Sequence, residues 1–357
     1  MAAHSNNEAT MRSLGTQSRR LTEGMKDLEK LNINTTLSSL PKYVVVGDQS
    51  AGKSSIVQAL CGVSLPRSQG TTTRCPFRIT TSKGTKSTKS WTCTVSLQQH
   101  SDLHGRGQWR RRDELKITHF ATIYDEGELE AVLRRAQLAL LNPQEDPKHF
   151  LDVDWNKHTN NKAVFSPNIL SLEIQASRLP ELEFYDLPGC INSYDLPKST
   201  KADAKQRQKE EKDLIQMIKS TVVSYIKEEN CLILLACSAD QDLEMSLTMK
   251  HIRDNDAEGR CIGVLTKADL VPPAKIPAIL EILEGKKYQL EHPWFITKQP
   301  SQQEIAEGLD HDAAREREIE FFATSPWAEN TSSRDQYGIS QLSSQIALNL
   351  SDHILSE

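Results

Sequence analysis

The sequence predicts an α/β fold: a doubly wound, mostly parallel sheet with insertions, flanked by helices from both termini. Three observations carry that expectation. Short β-branched or apolar runs recur, among them YVVV (43–46), CLILLAC (231–237) and CIGVL (261–265). Stretches with apolar residues three and four apart separate them, and strands alternating with such helices build a parallel sheet covered on both faces. The first run ends in a glycine-bearing loop that opens onto a helix-forming stretch, SSIVQAL (54–60).

Residues 1–11 are polar and small and read as a disordered tail. Within 12–40, Leu21, Met25, Leu28 and Leu31 recur at helical spacing and mark an amphipathic linker helix. The main domain then runs over 41–335. Its further strands are ILSLEI (169–174) and LEFYD (182–186), read as neighbours, and HPWFIT (292–297). Leu214, Ile218, Val222, Tyr225 and Ile226 share one helix face; Leu243, Leu247 and Ile252 share another. Residues 81–113 read as basic and loop-like around one strand candidate, WTCTVSL (91–97). Residues 300–335 are charged and helical before a loop, and 336–357 carry a last apolar-periodic helix, expected to pack on the N-terminal one.

A chain of 357 residues buries enough surface to need no disulfide or structural metal. Its seven cysteines are odd in number and lack Cys-x-x-Cys spacing, which reads as reduced core residues of a cytoplasmic protein. The first residues lack an apolar leader and the longest apolar run is too short to span a bilayer, so direct membrane insertion is not expected. With 43 Lys plus Arg against 48 Asp plus Glu, the net charge of −5 disfavours a nucleic-acid coat. Trp109 with Arg110, Arg111 and Arg112 leaves a local basic patch as a minor candidate for nucleic acid, read more simply as a solvated loop.

The chemistry lies in three ordered motifs. Gly47-Asp48-Gln49-Ser50-Ala51-Gly52-Lys53-Ser54 has the spacing of a phosphate-binding P-loop between a buried strand and a helix start, followed by Ser55. There successive backbone N–H groups and the helix dipole face an anion, Lys53 adds a point charge and the Ser54 hydroxyl can ligate Mg²⁺. Asp186-Leu187-Pro188-Gly189 follows the strand LEFYD. Asp186 suits a Mg²⁺-supporting carboxylate, and Gly189 can bring a backbone N–H up to a γ-phosphate. Thr266-Lys267-Ala268-Asp269 follows CIGVL, at the strand end where open α/β sheets bind ligands. A carboxylate only accepts hydrogen bonds, so Asp269 matches the N1–H and amino group of guanine and mismatches adenine, while Lys267 can lay its stem along the ring.

With GDQSAGKSS (47–55), LPRSQGTTTRCPFRI (65–79), DLPG (186–189), KEENCLILLACSADQDL (227–243) and GRCIGVLTKADL (259–270), the chain resembles the GTPase domain of the dynamin superfamily, nearer to its Mx and fungal Mx-like branch than to small GTPases. That resemblance implies a P-loop GTPase that hydrolyses GTP to GDP with Mg²⁺, stimulated when two GTPase domains dimerise across the nucleotide. It places the switch threonine at Thr73, holding Mg²⁺ and the attacking water, and the water-orienting glutamine at Gln49. Ser50 and the backbone near Gly70 fall where the family holds a monovalent cation, K⁺ or Na⁺, in place of an arginine finger; Arg67 and Arg74 flank that segment as another source of positive charge. Lys298 and Gln299 fall in the base-facing loop, with Gln299 where relatives often carry Asn or Cys, and Ser68 replaces a glycine. The two terminal helices match elements that join GTPase domain to stalk in the family, and the sequence at Glu357 is expected to lack the stalk itself. A GTP-binding regulator of full-length dynamin-like relatives, with little turnover, stays open as the alternative.

Overall fold

The computed structural model describes residues 42–63, 65, 73–82, 91–105, 108–158, 161–176, 182–194, 196, 204–324, 326–330 and 332–356. The N-terminal helix reading and the assignments to Arg67, Ser68 and Gly70 lie outside these residues. In chain order the main elements are β1 (Lys42–Gly47), α1 (Lys53–Cys61), β2 (Phe77–Ser82), β3 (Trp91–His104), β4 (Gln108–Ile123) and α2 (Leu129–Leu141). There follow β5 (Ile169–Ala176), β6 (Leu182–Asp186), α3 (Ala204–Ile226), β7 (Cys231–Ser238), α4 (Leu247–Arg253), β8 (Cys261–Thr266) and α5 (Ile276–Leu283). The chain continues through β9 (Phe295–Ile296), α6 (Gln302–Ala306), α7 (His311–Phe322) and α8 (Gly338–Ser356).

The nine strands of the described residues form one sheet in the order β4-β3-β5-β2-β6-β1-β7-β8-β9. From β6 to β9 every pairing is parallel. β1 shows why both faces must be covered: Tyr43 and Val45 enter one core, Val44 and Val46 the other, as the period of two in a strand requires. The first core takes Ile56, Val57 and Leu60 of α1 with Leu129 and Leu133 of α2. The second takes Val222 and Ile226 of α3, Met249 and Ile252 of α4 and Ile276 and Ile279 of α5. Helices on both faces make the sheet doubly wound, as the alternating pattern predicts.

Two readings need correction. The runs at 169–174 and 182–186 are both strands, but they are not neighbours: β2 lies between them, parallel to β5 and antiparallel to β6. A strand supplied from a hundred residues earlier leaves no trace in the local sequence of the two it separates. The strand candidate WTCTVSL opens β3, but residues 98–104 and 108–113, read as loop-like, are strand too, within the β3–β4 hairpin, with Leu103 opposite Trp109 and Asp102 opposite Arg110. Its pattern misleads because β4 is an edge strand whose ladder breaks. Gln99 faces Lys116 and Ser101 faces Arg111, so Arg112 to Leu115 bulge outward opposite His100. Charged bulges of this kind protect an open sheet edge from pairing with other chains. Arg112 is held to Asp102 at 2.5 Å within the hairpin.

HPWFIT contributes only two ladder residues, Phe295 and Ile296, beside β8. At the C-terminal end, Ile339, Leu342 and Ile346 of α8 sit in the first core with α1, and the Tyr43 hydroxyl donates to the Ile346 carbonyl at 2.5 Å. All seven cysteines are buried free thiols, and no described helix is long and apolar enough to cross a membrane.

Candidate functional site

β1 delivers Gly47 to the carboxyl edge of the sheet, and the next five residues turn back to start α1. Ser50 and Gly52 take left-handed backbone, with φ of 63° and 86°, a conformation that a non-glycine residue holds only under constraint. Hydrogen bonds supply that constraint: Gln49 N–H donates to the Cys190 carbonyl at 3.0 Å and Ala51 N–H to the Asp48 carbonyl at 3.2 Å. Among the described residues no side chain caps the start of α1, and since the first N–H groups of a helix find no acceptor within it, a phosphate is their natural acceptor.

Lys53 is 6% exposed. Its ammonium donates to the carbonyls of Gly47 at 3.2 Å and Asp48 at 2.9 Å. Burial lowers its pKa, against opposing pull from Asp186, Cys190 and Asp48. The loop thus holds a partly desolvated cation at its centre, where an anion gains most from it.

Three oxygens converge beside it. Ser54 Oγ donates to Asp186 Oδ2 at 2.6 Å, Thr73 Oγ1 lies 3.2 Å from Ser54 Oγ, and Thr73 reaches the same Asp186 oxygen at 3.4 Å. Asp186 is fully buried. Burial pushes its carboxyl up to about 6 despite bonds from Ser54 and Thr73 and the charge of Lys53, and its Oδ1 is buried without a partner among the described residues. A hydroxyl pair and a carboxylate with an unspent oxygen are hard donors of the kind Mg²⁺ takes when phosphates complete its shell. The residues therefore fit that ion.

Gly189 closes the site from the other side. A Cβ there would lie 2.7 Å from Gln49 Cα, 2.8 Å from Gln49 N and 2.9 Å from Lys53 Nζ. Only a glycine lets the segment after β6 rest directly on the P-loop. Gln49 and Ser50 are exposed on the outer surface of the loop, Gly47 and Ala51 are buried, and Ser55 is half-buried in the first turn of α1.

The remaining predicted residues divide by what they touch. Asp48 turns its carboxylate to α4, accepting from Leu247 N–H, Thr248 N–H and the Thr248 hydroxyl at 3.2, 3.0 and 2.7 Å. Thr266 holds the P-loop itself, donating to the Ala51 carbonyl at 2.8 Å. Lys267 has φ of 58° and begins the turn that leaves Asp269 exposed at the strand end. The loop after β9 lies beside this turn: Ala268 N–H donates to the Thr297 carbonyl at 3.3 Å. Lys298 pairs through its amine with Glu304, and the side-chain Oε1 of Gln299 accepts from Arg315 at 2.8 Å. Motif reading passed over Thr248, Arg315 and Glu318. Nothing in their local sequence distinguishes them from ordinary polar helix residues.

The family model described as "Dynamin family" matches residues 44–268, well over half of the chain. The chain belongs to the dynamin family. The model of the dynamin central region matches residues 278–357. Among relatives, the human "Interferon-induced GTP-binding protein Mx2" is 29% identical over 302 residues, 84% of this chain and 35% of that protein. "Interferon-induced GTP-binding protein Mx" of Ctenopharyngodon idella is 30% identical over 83% of this chain and 40% of its own length. The Mx2 protein of Sus scrofa is 28% identical over 92% and 39%. This dynamin-family chain thus spans well under half the length of the relatives it matches.

Proposed function

We propose that this chain binds GTP with Mg²⁺ and hydrolyses it to GDP and phosphate, and that the reaction is stimulated when two such domains meet face to face. The observation that carries the reading is the convergence of the buried Lys53 ammonium, the uncapped start of α1 and the Ser54–Thr73–Asp186 oxygen cluster. Membership of the dynamin family and the GTP-binding names of the relatives support it.

Ser54 and Asp186, with Thr73, would hold Mg²⁺, which when bound neutralises charge on the β- and γ-phosphates. The protein's own groups do the rest. The P-loop amides and Lys53 bind the phosphates and need no reorganisation as charge spreads over the transferring group. Thr73 and Gly189 close on the γ-phosphate, and Gln49 aligns the attacking water. Asp269 selects the ring by accepting from two guanine donors. Ser50, exposed on the rim, is where a K⁺ or Na⁺ ion would add positive charge; exposed Met245 lies on the segment after β7 beside the P-loop, a surface available to a second domain. Seven buried free thiols accord with a cytoplasmic setting.

Titration calorimetry with GTP and ATP tests the core of the reading. Binding of GTP in preference to ATP, lost in Lys53→Ala, supports it. Equal competition by ATP, or unchanged nucleotide uptake by Lys53→Ala, would defeat it.

A further inference from the structure

We infer that Glu318, with Arg315 beside it, is a positioning residue that fixes the guanine-facing loop and ties that loop to the start of the C-terminal helix. The inference rests on the GTP reading above.

α7 is a highly charged helix, HDAAREREIEFF, yet one of its carboxylates points inward. Glu318 is 3% exposed, and a carboxylate taken from water is tolerated only when donors surround it. Three do. Glu318 Oε1 accepts from the Lys298 N–H at 2.9 Å. Its Oε2 accepts from the Ile339 N–H at 3.0 Å and from Arg315 at 2.7 Å. Arg315 sits one helical turn away and uses its other terminal nitrogen on Gln299 Oε1 at 2.8 Å. One turn of α7 therefore grips two consecutive residues of the loop, Lys298 by its main chain and Gln299 by its side chain.

The near end of that loop is fixed from the opposite side. Thr297 N–H donates to the Leu265 carbonyl at 2.8 Å, and the Thr297 carbonyl accepts from Ala268, the residue before Asp269. Residues 297–299 are thus clamped between the Asp269 turn and α7, so the position of α7 sets the spacing between the two walls that face the ring.

The Glu318 oxygen turned the other way holds Ile339, in the first turn of α8, the helix that places Ile339, Leu342 and Ile346 in the first core. A displacement of α8 pulls on the carboxylate that positions Lys298, and the converse holds by linkage. The arrangement is not the cheapest way to pack these elements. Arg315 Nε and Gln299 Nε2 are buried without partners among the described residues, and an apolar contact would avoid that cost. A specific geometric task accounts for retaining it.

Glu318→Gln tests the role, because the amide keeps the shape and cannot accept from three donors at once. Wild type and variant are compared for binding of a fluorescent GTP analogue and for turnover in Mg²⁺. The expected result is a Kd raised about tenfold, the size of one lost charge-assisted hydrogen bond, with kcat at saturation within about twofold. A variant whose Kd equals that of wild type overturns the inference. Hydrogen exchange on wild type gives an independent reading that does not require the variant to fold. A non-hydrolysable GTP analogue should slow exchange at the Ile339 amide, and an unchanged rate there overturns the tie to α8. Wild type that binds no GTP at all defeats the functional reading itself, a result distinct from either of these.

Discussion

Ser54 donates from its hydroxyl to Asp186 across 2.6 Å, joining the first turn of α1 to the end of β6 over a sequence separation of 132 residues. The bond spends one carboxylate oxygen and, among the described residues, leaves the other buried without a partner, which supports the proposal that the pair takes a further ligand.

That imbalance has a pH signature. The Asp186 carboxyl titrates at 3.8 in the unfolded chain and at about 6 when folded. Between those values the folded protein keeps a proton that the unfolded chain has released, so stability falls as pH rises through this window and levels off above it. The full cost is about 3 kcal/mol. Asp186→Asn, without nucleotide or Mg²⁺, should melt at or above wild type at neutral pH and lose the slope. Its Mg²⁺-dependent GTP affinity should fall about 100-fold. Thermal melts across the window check this, and a variant several degrees less stable than wild type at neutral pH would contradict it.

Thr73→Ala removes a hydroxyl that touches both Ser54 and Asp186. Its main effect should fall on the chemical step, with kcat reduced on the order of 100-fold and GTP affinity changed only a few-fold. Single-turnover kinetics separate the two. A loss confined to KM would remove Thr73 from the reaction.

Asp269→Asn replaces an acceptor-only group with an amide that also donates. Xanthine carries a carbonyl where guanine carries its amino group. The variant should therefore lose GTP affinity by about 100-fold and gain affinity for the xanthine nucleotide. Competition binding with the two triphosphates measures it; parallel losses for both would mean that Asp269 does not read the ring.

If two domains complete one another's sites, specific GTPase activity should climb with protein concentration and then saturate, faster in K⁺ than in a bulky organic cation. A rate per mole that stays flat over a hundredfold range of concentration would leave each domain acting alone.

The P-loop was legible because its demands are local: a buried strand, glycine at a left-handed position and a helix start must be contiguous in sequence for amides to surround one anion. The same holds for Asp186, the last residue of β6, and for Asp269, in the turn just after β8, because neighbouring parallel strands end at the same sheet edge. Of the β3–β4 hairpin only the first half of β3, Trp91 to Leu97, was legible; β4 was not, since Arg112 to Leu115 bulge from an edge strand and show no alternation to read. Nor was the place of β2, whose neighbours β5 and β6 come much later in the chain.

Residue order alone thus determined the α/β class and the order of the three motifs, and it carries the proposal that Asp269 reads guanine, because each follows from short-range periodicity or from the chemistry of one side chain. Tertiary structure decided the rest. It turned Asp48 to α4, engaged Gln299 with Arg315 and buried Glu318 between Lys298 and Ile339. Those outcomes depend on which distant donors meet a buried acceptor, and only packing brings such groups within hydrogen-bonding distance.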